Sequence, residues 1–137
     1  MELESSKPTR KAPADTFTGD AWIDEIVRGE PPSRVRAAFV RFAPGARNAW
    51  HVHAVGQTVH VTEGVGRIQA RGTQPLEMRA GDTVVTPAGE WHWHGAAPHR
   101  FMTHLAIWEA PDHGGLETEW GDLVSHEEYE AEPQRGR

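Results

Sequence analysis

Two stretches decide the reading of this chain: Gly45–Gln57, GARNAWHVHAVGQ, and Gly81–Gly95, GDTVVTPAGEWHWHG. Each carries a histidine pair at spacing two, His51 with His53 and His92 with His94. Along a strand, residues two apart share a face, so each pair can aim both imidazoles at one side. Gly56 lets the chain bend, so that Gln57 can return its amide oxygen toward the first pair. The second stretch repeats the device: a Gly-Asp turn, a short β-branched run, a Pro-x-Gly turn and then the pair.

Outward from these stretches the pattern stays strand-like. Val35 to Phe42 is β-branched and aromatic and stops at Pro44-Gly45. Thr58 to Thr62 alternates through Val59 and Val61 and meets Glu63-Gly64, and Arg67 to Ala70 ends at Arg71-Gly72. Leu76 to Arg79 runs into Gly81-Asp82, and Thr83 to Thr86 into Pro87-Ala88-Gly89. The longest candidate, Arg100 to Glu109, places Met102, His104, Ala106 and Trp108 on one face and Phe101, Thr103, Leu105 and Ile107 on the other. Short strands punctuated by Gly and Pro predict an all-β sandwich or barrel. Ser125-His-Glu-Glu128 has the form of a capping box, with Leu123 before it and Tyr129 after, which predicts one short C-terminal helical turn. Residues 1–14 read as a flexible N-terminal arm, 15–130 as the barrel domain and 131–137 as a flexible C-terminal tail.

Composition narrows the function classes. At 137 residues the chain makes one domain. A net charge of −6 argues against nucleic acid as the main partner, because phosphate binding needs a basic face. The longest apolar runs, such as Ala37 to Val40 and Leu105 to Trp108, are too short to span a bilayer, so no membrane partner is expected. The opening MELESSKPTRK has no apolar stretch behind its charges, so it is not read as a secretory signal, and a cytoplasmic location is the expectation. With no cysteine there is no disulfide, thiolate ligand or thiol nucleophile. Nine histidines stand out in so small a chain, of which His60, His99, His113 and His126 read as ordinary core or surface residues.

The spacing G-x5-H-x-H-x3-[E/Q]-x6-G followed by G-x5-P-x-G-x2-H resembles the two-part signature of the cupin superfamily. It is matched by Gly45, His51, His53, Gln57, Gly64, Gly81, Pro87, Gly89 and His92. The five Gly and Pro positions alone would agree by chance about once in a million tries. Two positions depart from the pattern: Gln57 stands where Glu is usual, and Ala96 where an Asn often closes the second motif. The resemblance implies a single-domain antiparallel jelly-roll β-barrel, commonly assembled as a homodimer or larger homo-oligomer such as a homotetramer. It also implies a divalent metal held inside by His51, His53, Gln57 and His92. Neutral imidazoles and an amide oxygen suit manganese, and equally Fe, Ni, Co, Cu or Zn. Without a carboxylate ligand the ion keeps its full charge and is a stronger Lewis acid.

Beyond the ligands, His94 shares the face of His92, and His104 lies mid-strand on the face of Met102 and Ala106. A buried imidazole that binds no metal is a candidate general base or, alternatively, a group that orients a ligand. Ala38, Val40, Met102, Ala106 and Trp108 are the candidate substrate pocket. Trp91 and Trp93, alternating with His92 and His94, should point out of the barrel, toward a second subunit or the N-terminal segment.

The runs AWHVHAVGQT, PAGEWHWHGAAPHRFMTHLAI and VSHEEY resemble, more narrowly, the bacterial manganese cupins that act as hydroxynitrile lyases. That resemblance implies reversible cleavage of a cyanohydrin such as mandelonitrile to an aldehyde and cyanide, with His94 and His104 as the accompanying catalytic histidines. Two other readings stay open on the residues alone. One is a cupin dioxygenase, and the other a barrel that binds a small metabolite or sugar acid without catalysis.

Overall fold

The computed structural model describes residues 1–135. Its strands, in chain order, are β1 (Arg10–Lys11), β2 (Phe17–Thr18), β3 (Ala21–Arg28), β4 (Val35–Phe42), β5 (Arg47–Asn48), β6 (His51–His53) and β7 (Gln57–Ala70). They continue with β8 (Leu76–Arg79), β9 (Thr83–Thr86), β10 (His92–Ala96), β11 (Met102–Glu109), β12 (Thr118–Trp120) and β13 (Gln134–Arg135). A single helix, α1 (His126–Glu130), sits near the C-terminus of the described residues. The strands form one curled sheet in the order β1-β3-β4-β11-β7-β10-β5-β2, with antiparallel ladders throughout except where β13 runs parallel to β8.

Strand β7 joins the two walls. Its first half pairs with β9 and β11, and its second half with β8 and β10. The runs Thr58–Thr62 and Arg67–Ala70, expected as separate strands, are therefore one. At the junction Gly64 has φ +79°, and a Cβ there would run into the Phe101 carbonyl. The sequence signal of a turn marks the bend of a continuous strand. Strand β3, Ala-Trp-Ile-Asp-Glu-Ile-Val-Arg, has no clean alternation in its sequence. A bulge between Glu25 and Val27 breaks its alternation, and most of its side chains are half-buried.

Inward-facing side chains from both walls fill one end of the barrel. Phe42, Val59, Val61, Ile68, Met78 and Met102 are buried there against one another, each contributing about 1.5–3 kcal/mol by leaving water. A second apolar cluster lies on the outer side of β10, where Trp50, Trp91 and Trp93 pack with Val124 and Tyr129. Trp93 does point away from the histidine face, as its parity requires. Its cover is this chain's own C-terminal segment, however, and neither a second subunit nor the N-terminal segment fills that role. The Tyr129 hydroxyl donates to the Ala96 carbonyl at 2.6 Å and pins α1 to β10.

Within residues 1–14, β1 pairs with β3, and Ala12 is buried with its amide donating to the Ala21 carbonyl at 2.9 Å. Of residues 131–137, Gln134 and Arg135 pair with β8, and 136–137 lie outside the described residues. No helix among the described residues is long and apolar enough to cross a membrane.

Candidate metal centre

Beside the packed core the barrel interior is lined by imidazoles, and the core residue Phe42 has its ring 5.3 Å from that of His104. Alternation along β6 turns His51 and His53 inward, and β10 runs antiparallel beside it with His92 opposite His51. One ligand nitrogen from each of His51, His53 and His92 lies within 4.8 Å of the other two, and all three residues are buried. Their outer nitrogens are occupied. Nδ1–H of His51 donates to the Ala49 carbonyl at 2.7 Å, and Nδ1–H of His92 to the Glu90 carbonyl at 2.9 Å. Because carbonyls only accept, these bonds fix the proton on Nδ1 and leave an Nε2 lone pair on each ring. His53 Nδ1 is 3.0 Å from the Thr118 hydroxyl, and its buried Nε2 has no hydrogen-bond partner among the described residues.

Burial keeps these rings neutral, reinforced at His51 and His53 by the neighbouring imidazoles. His51 is held well below the ordinary 6.5, His53 is lowered to about 4, and His92 is also lowered. Converging neutral imidazoles with an orphaned buried nitrogen are a donor set that fits a divalent first-row metal ion. Their fixed outer hydrogen bonds are the usual means of orienting such ligands.

Gln57 begins β7 directly after Gly56, which has φ +84° and whose missing Cβ would lie 2.7 Å from the Thr86 carbonyl oxygen. No larger residue fits so tight a bend. The turn delivers Oε1 of Gln57 to 3.1 Å from His92 Nε2 and 3.2 Å from His94 Nε2. His94 in turn meets His104, with 2.9 Å between His94 Nδ1 and His104 Nε2. Both rings are buried and neutral: His94 lies well below 6.5, and burial lowers His104 to about 4.

A cavity of about 250 Å³ opens onto this group. Ala38, Val40, Ala106 and Trp108 line it, together with His51, His53, Gln57, His94 and His104. This settles that Ala38 and Val40 face inward. Met102, expected beside them, lies in the packed core and not along the cavity. Parity gave its side but not its depth, since β11 descends from Trp108 at the cavity to Met102 in the core.

Several contributors carried no signal in the sequence. Strand β12 follows an irregular loop and pairs with β6, placing Thr118 opposite His53 and Trp120 opposite His51. The Trp120 ring lies 4.8 Å from that of His51. Glu117 accepts from Trp108 Nε1 at 3.2 Å and from the half-circled guanidinium of Arg36 at 3.0 and 3.2 Å, which fixes the indole wall. Phe17 and Asn48 also line the cavity.

The comparisons with known proteins agree with this geometry. Residues 38–107 match the Cupin domain family. The (R)-mandelonitrile lyase of Granulicella tundricola is 47% identical over 131 residues, covering 94% of this chain and 98% of that protein. Among solved structures, a cupin-like protein from Thermotoga maritima superposes with a TM-score of 0.82 at 35% identity, over 94% of this chain and 95% of that one. The polyketide cyclase RemF of Streptomyces resistomycificus shares the fold at a TM-score of 0.67 and 16% identity, over 95% of this chain and 91% of its own. On its two motifs, its curled antiparallel sheet and these relatives, the chain belongs to the cupin family.

Proposed function

We propose that this protein is a metal-dependent hydroxynitrile lyase that reversibly cleaves a cyanohydrin of the mandelonitrile class to an aldehyde and cyanide. One observation carries the reading: His51 and His53 of a neutral three-histidine centre and a separate buried imidazole pair line one small, largely apolar cavity, with Arg10, Glu25 and Arg28 also on its wall. The 47% identity to a mandelonitrile lyase over nearly the whole chain supports it.

His51, His53, His92 and Gln57 would hold the ion, for which this reading takes manganese. A bound divalent metal supplies a Lewis acid for the substrate hydroxyl or the departing cyanide. The remaining work falls to the chain. The His94–His104 pair accepts the hydroxyl proton as the C–CN bond breaks, the oxygen's electrons form the carbonyl, and the bonding pair leaves on cyanide. The pair then returns its proton to give hydrogen cyanide, so atoms and charge balance without an oxidant. Neutral imidazoles held below 6.5 are unprotonated and ready to accept at neutral pH. Ala38, Val40 and Ala106 leave room for the substrate's carbon skeleton, while Trp108 and Trp120 supply aromatic walls. A homo-oligomeric assembly belongs to the same proposal.

The test is aldehyde release from mandelonitrile by manganese-loaded protein, beside a manganese-only control. Release well above the control supports the assignment, and release equal to the control removes it. His104→Ala is expected to retain metal and lose most turnover.

A further inference from the structure

We infer that His94 is a positioning residue. It holds the Gln57 amide with its oxygen toward the three-histidine centre, and this commitment leaves Nδ1 of His104 as the pair's free lone pair. The inference rests on the ligand role proposed for Gln57 and divides the roles within the His94–His104 pair.

The argument follows where protons can sit. Oε1 of Gln57 has two imidazole nitrogens beside it, His92 Nε2 at 3.1 Å and His94 Nε2 at 3.2 Å. His92 has its proton on Nδ1, donated to the Glu90 carbonyl, so its Nε2 offers only a lone pair. Two lone pairs facing each other repel unless a cation satisfies both. Of the two nitrogens, His94 Nε2 is therefore the one that can carry a proton to the amide oxygen. With that proton on Nε2, Nδ1 of His94 must accept, and the group 2.9 Å away is Nε2 of His104, which must then donate. The file ends at His104 Nδ1, a buried nitrogen with no partner among the described residues.

Reversing every bond would turn the Gln57 amide nitrogen toward the centre, where it cannot serve as a ligand. It would also leave a buried, unpaired N–H at His104 Nδ1, which proteins tolerate less readily than an unpaired lone pair. Asn48 steadies the arrangement: its Oδ1 accepts from the His94 backbone amide at 2.9 Å, and its NH2 lies 3.2 and 3.4 Å from the two ring nitrogens. Those nearly equal distances place the NH2 against the ring and not along either lone pair. It holds the plane of His94, and the Gln57–His94–His104 file sets the proton.

Two readouts independent of turnover test this. In protein carrying isotope-labelled histidine and loaded with zinc, a diamagnetic probe, nitrogen NMR should show His94 and His104 each protonated on Nε2. A His94 proton found on Nδ1 overturns the inference, and no variant is needed for that measurement. The second readout is zinc affinity by competition titration. His94→Phe keeps bulk but removes the N–H donor, and should weaken binding by about 10–100-fold. His94→Gln, which restores an amide donor, should recover part of the loss. Wild-type affinity in His94→Phe overturns the positioning role. Wild-type affinity in Gln57→Ala instead sinks the ligand assignment beneath it, so the two failures are distinguishable.

Discussion

Strand β10 has two faces, both buried and of opposite chemistry. Inward, His92 and His94 join three other buried imidazoles and form no apolar core. Outward, Trp93 and its neighbours Trp50, Trp91 and Tyr129 form a compact aromatic cluster under α1, and the Trp93 indole donates to Gln69 at 2.8 Å. Arg47 and Arg67 lie 4.4 and 5.3 Å from the Tyr129 ring centroid and carry charge around the rim of this cluster. One face invests its burial in polar groups that destabilise the fold unless they are satisfied; the other invests it in hydrophobic area. The difference teaches that the aromatic face anchors the strand on which the histidine face is displayed.

The largest expected effects form a crossed pair. Trp93→Ala empties the outer cluster and should lower the unfolding free energy by about 3–5 kcal/mol, read by urea titration. The folded fraction should still take up metal. His92→Ala should do the reverse. Metal content by mass spectrometry falls from stoichiometric to none, while circular dichroism and the unfolding midpoint of the metal-free protein stay near wild type. Folding that collapses in His92→Ala, or metal lost from fully folded Trp93→Ala, would break the division of labour.

Much of this was legible in advance, for a physical reason. The motif histidines need fixed spacing because period two is what brings two rings to one point, and strands at Val35–Phe42, Leu76–Arg79 and Thr83–Thr86 appear with the bounds that their composition and closing Gly and Pro turns gave. The capping box at Ser125 and Glu128 is present with both of its bonds. What escaped depended on pairing between distant segments. Thr118 reaches His53 only because β12 pairs with β6, and no local pattern in the loop before it announces that ladder. Met102 shares the parity of Ala106 but not its depth, and the cover over Trp93 comes from a helix more than thirty positions away in sequence. Alternation reports which side a residue faces; what lies on that side is set by topology.

The two faces also differ in their response to acid. Burial holds His53 and His104 at about 4, below the ordinary 6.5. Between those values the unfolded chain binds more protons than the folded one, so stability rises with pH across that window. Metal-free protein should therefore be fully stable above pH 6.5 and lose stability progressively as the pH falls toward 4. On the outer face, burial raises the Tyr129 phenol above its ordinary 10, so that cluster has no part in this response. Urea midpoints measured at pH 7 and pH 5 check it, with a clearly lower midpoint expected at pH 5. Equal midpoints would mean that the imidazoles gain no protons on unfolding, and the electrostatic half of the comparison would be wrong.

The smallest effect is the sharpest test of whether the faces act independently. Ser125 Oγ accepts from the Glu128 amide at 3.1 Å, Glu128 Oε1 accepts from the Ser125 amide at 2.9 Å, and Glu128 Oε2 accepts from Trp50 Nε1 at 3.1 Å. Ser125→Ala removes only the first of these bonds and should cost about 1 kcal/mol, the usual worth of an N-cap side chain. The Trp50 tie and the Tyr129 bond to Ala96 remain, so α1 stays seated and β10 does not move. Metal affinity should then equal wild type although the unfolding midpoint falls. Weaker metal binding in this variant would mean that slackening under α1 passes through β10 to His92, and that the aromatic cluster tunes the centre as well as anchoring it.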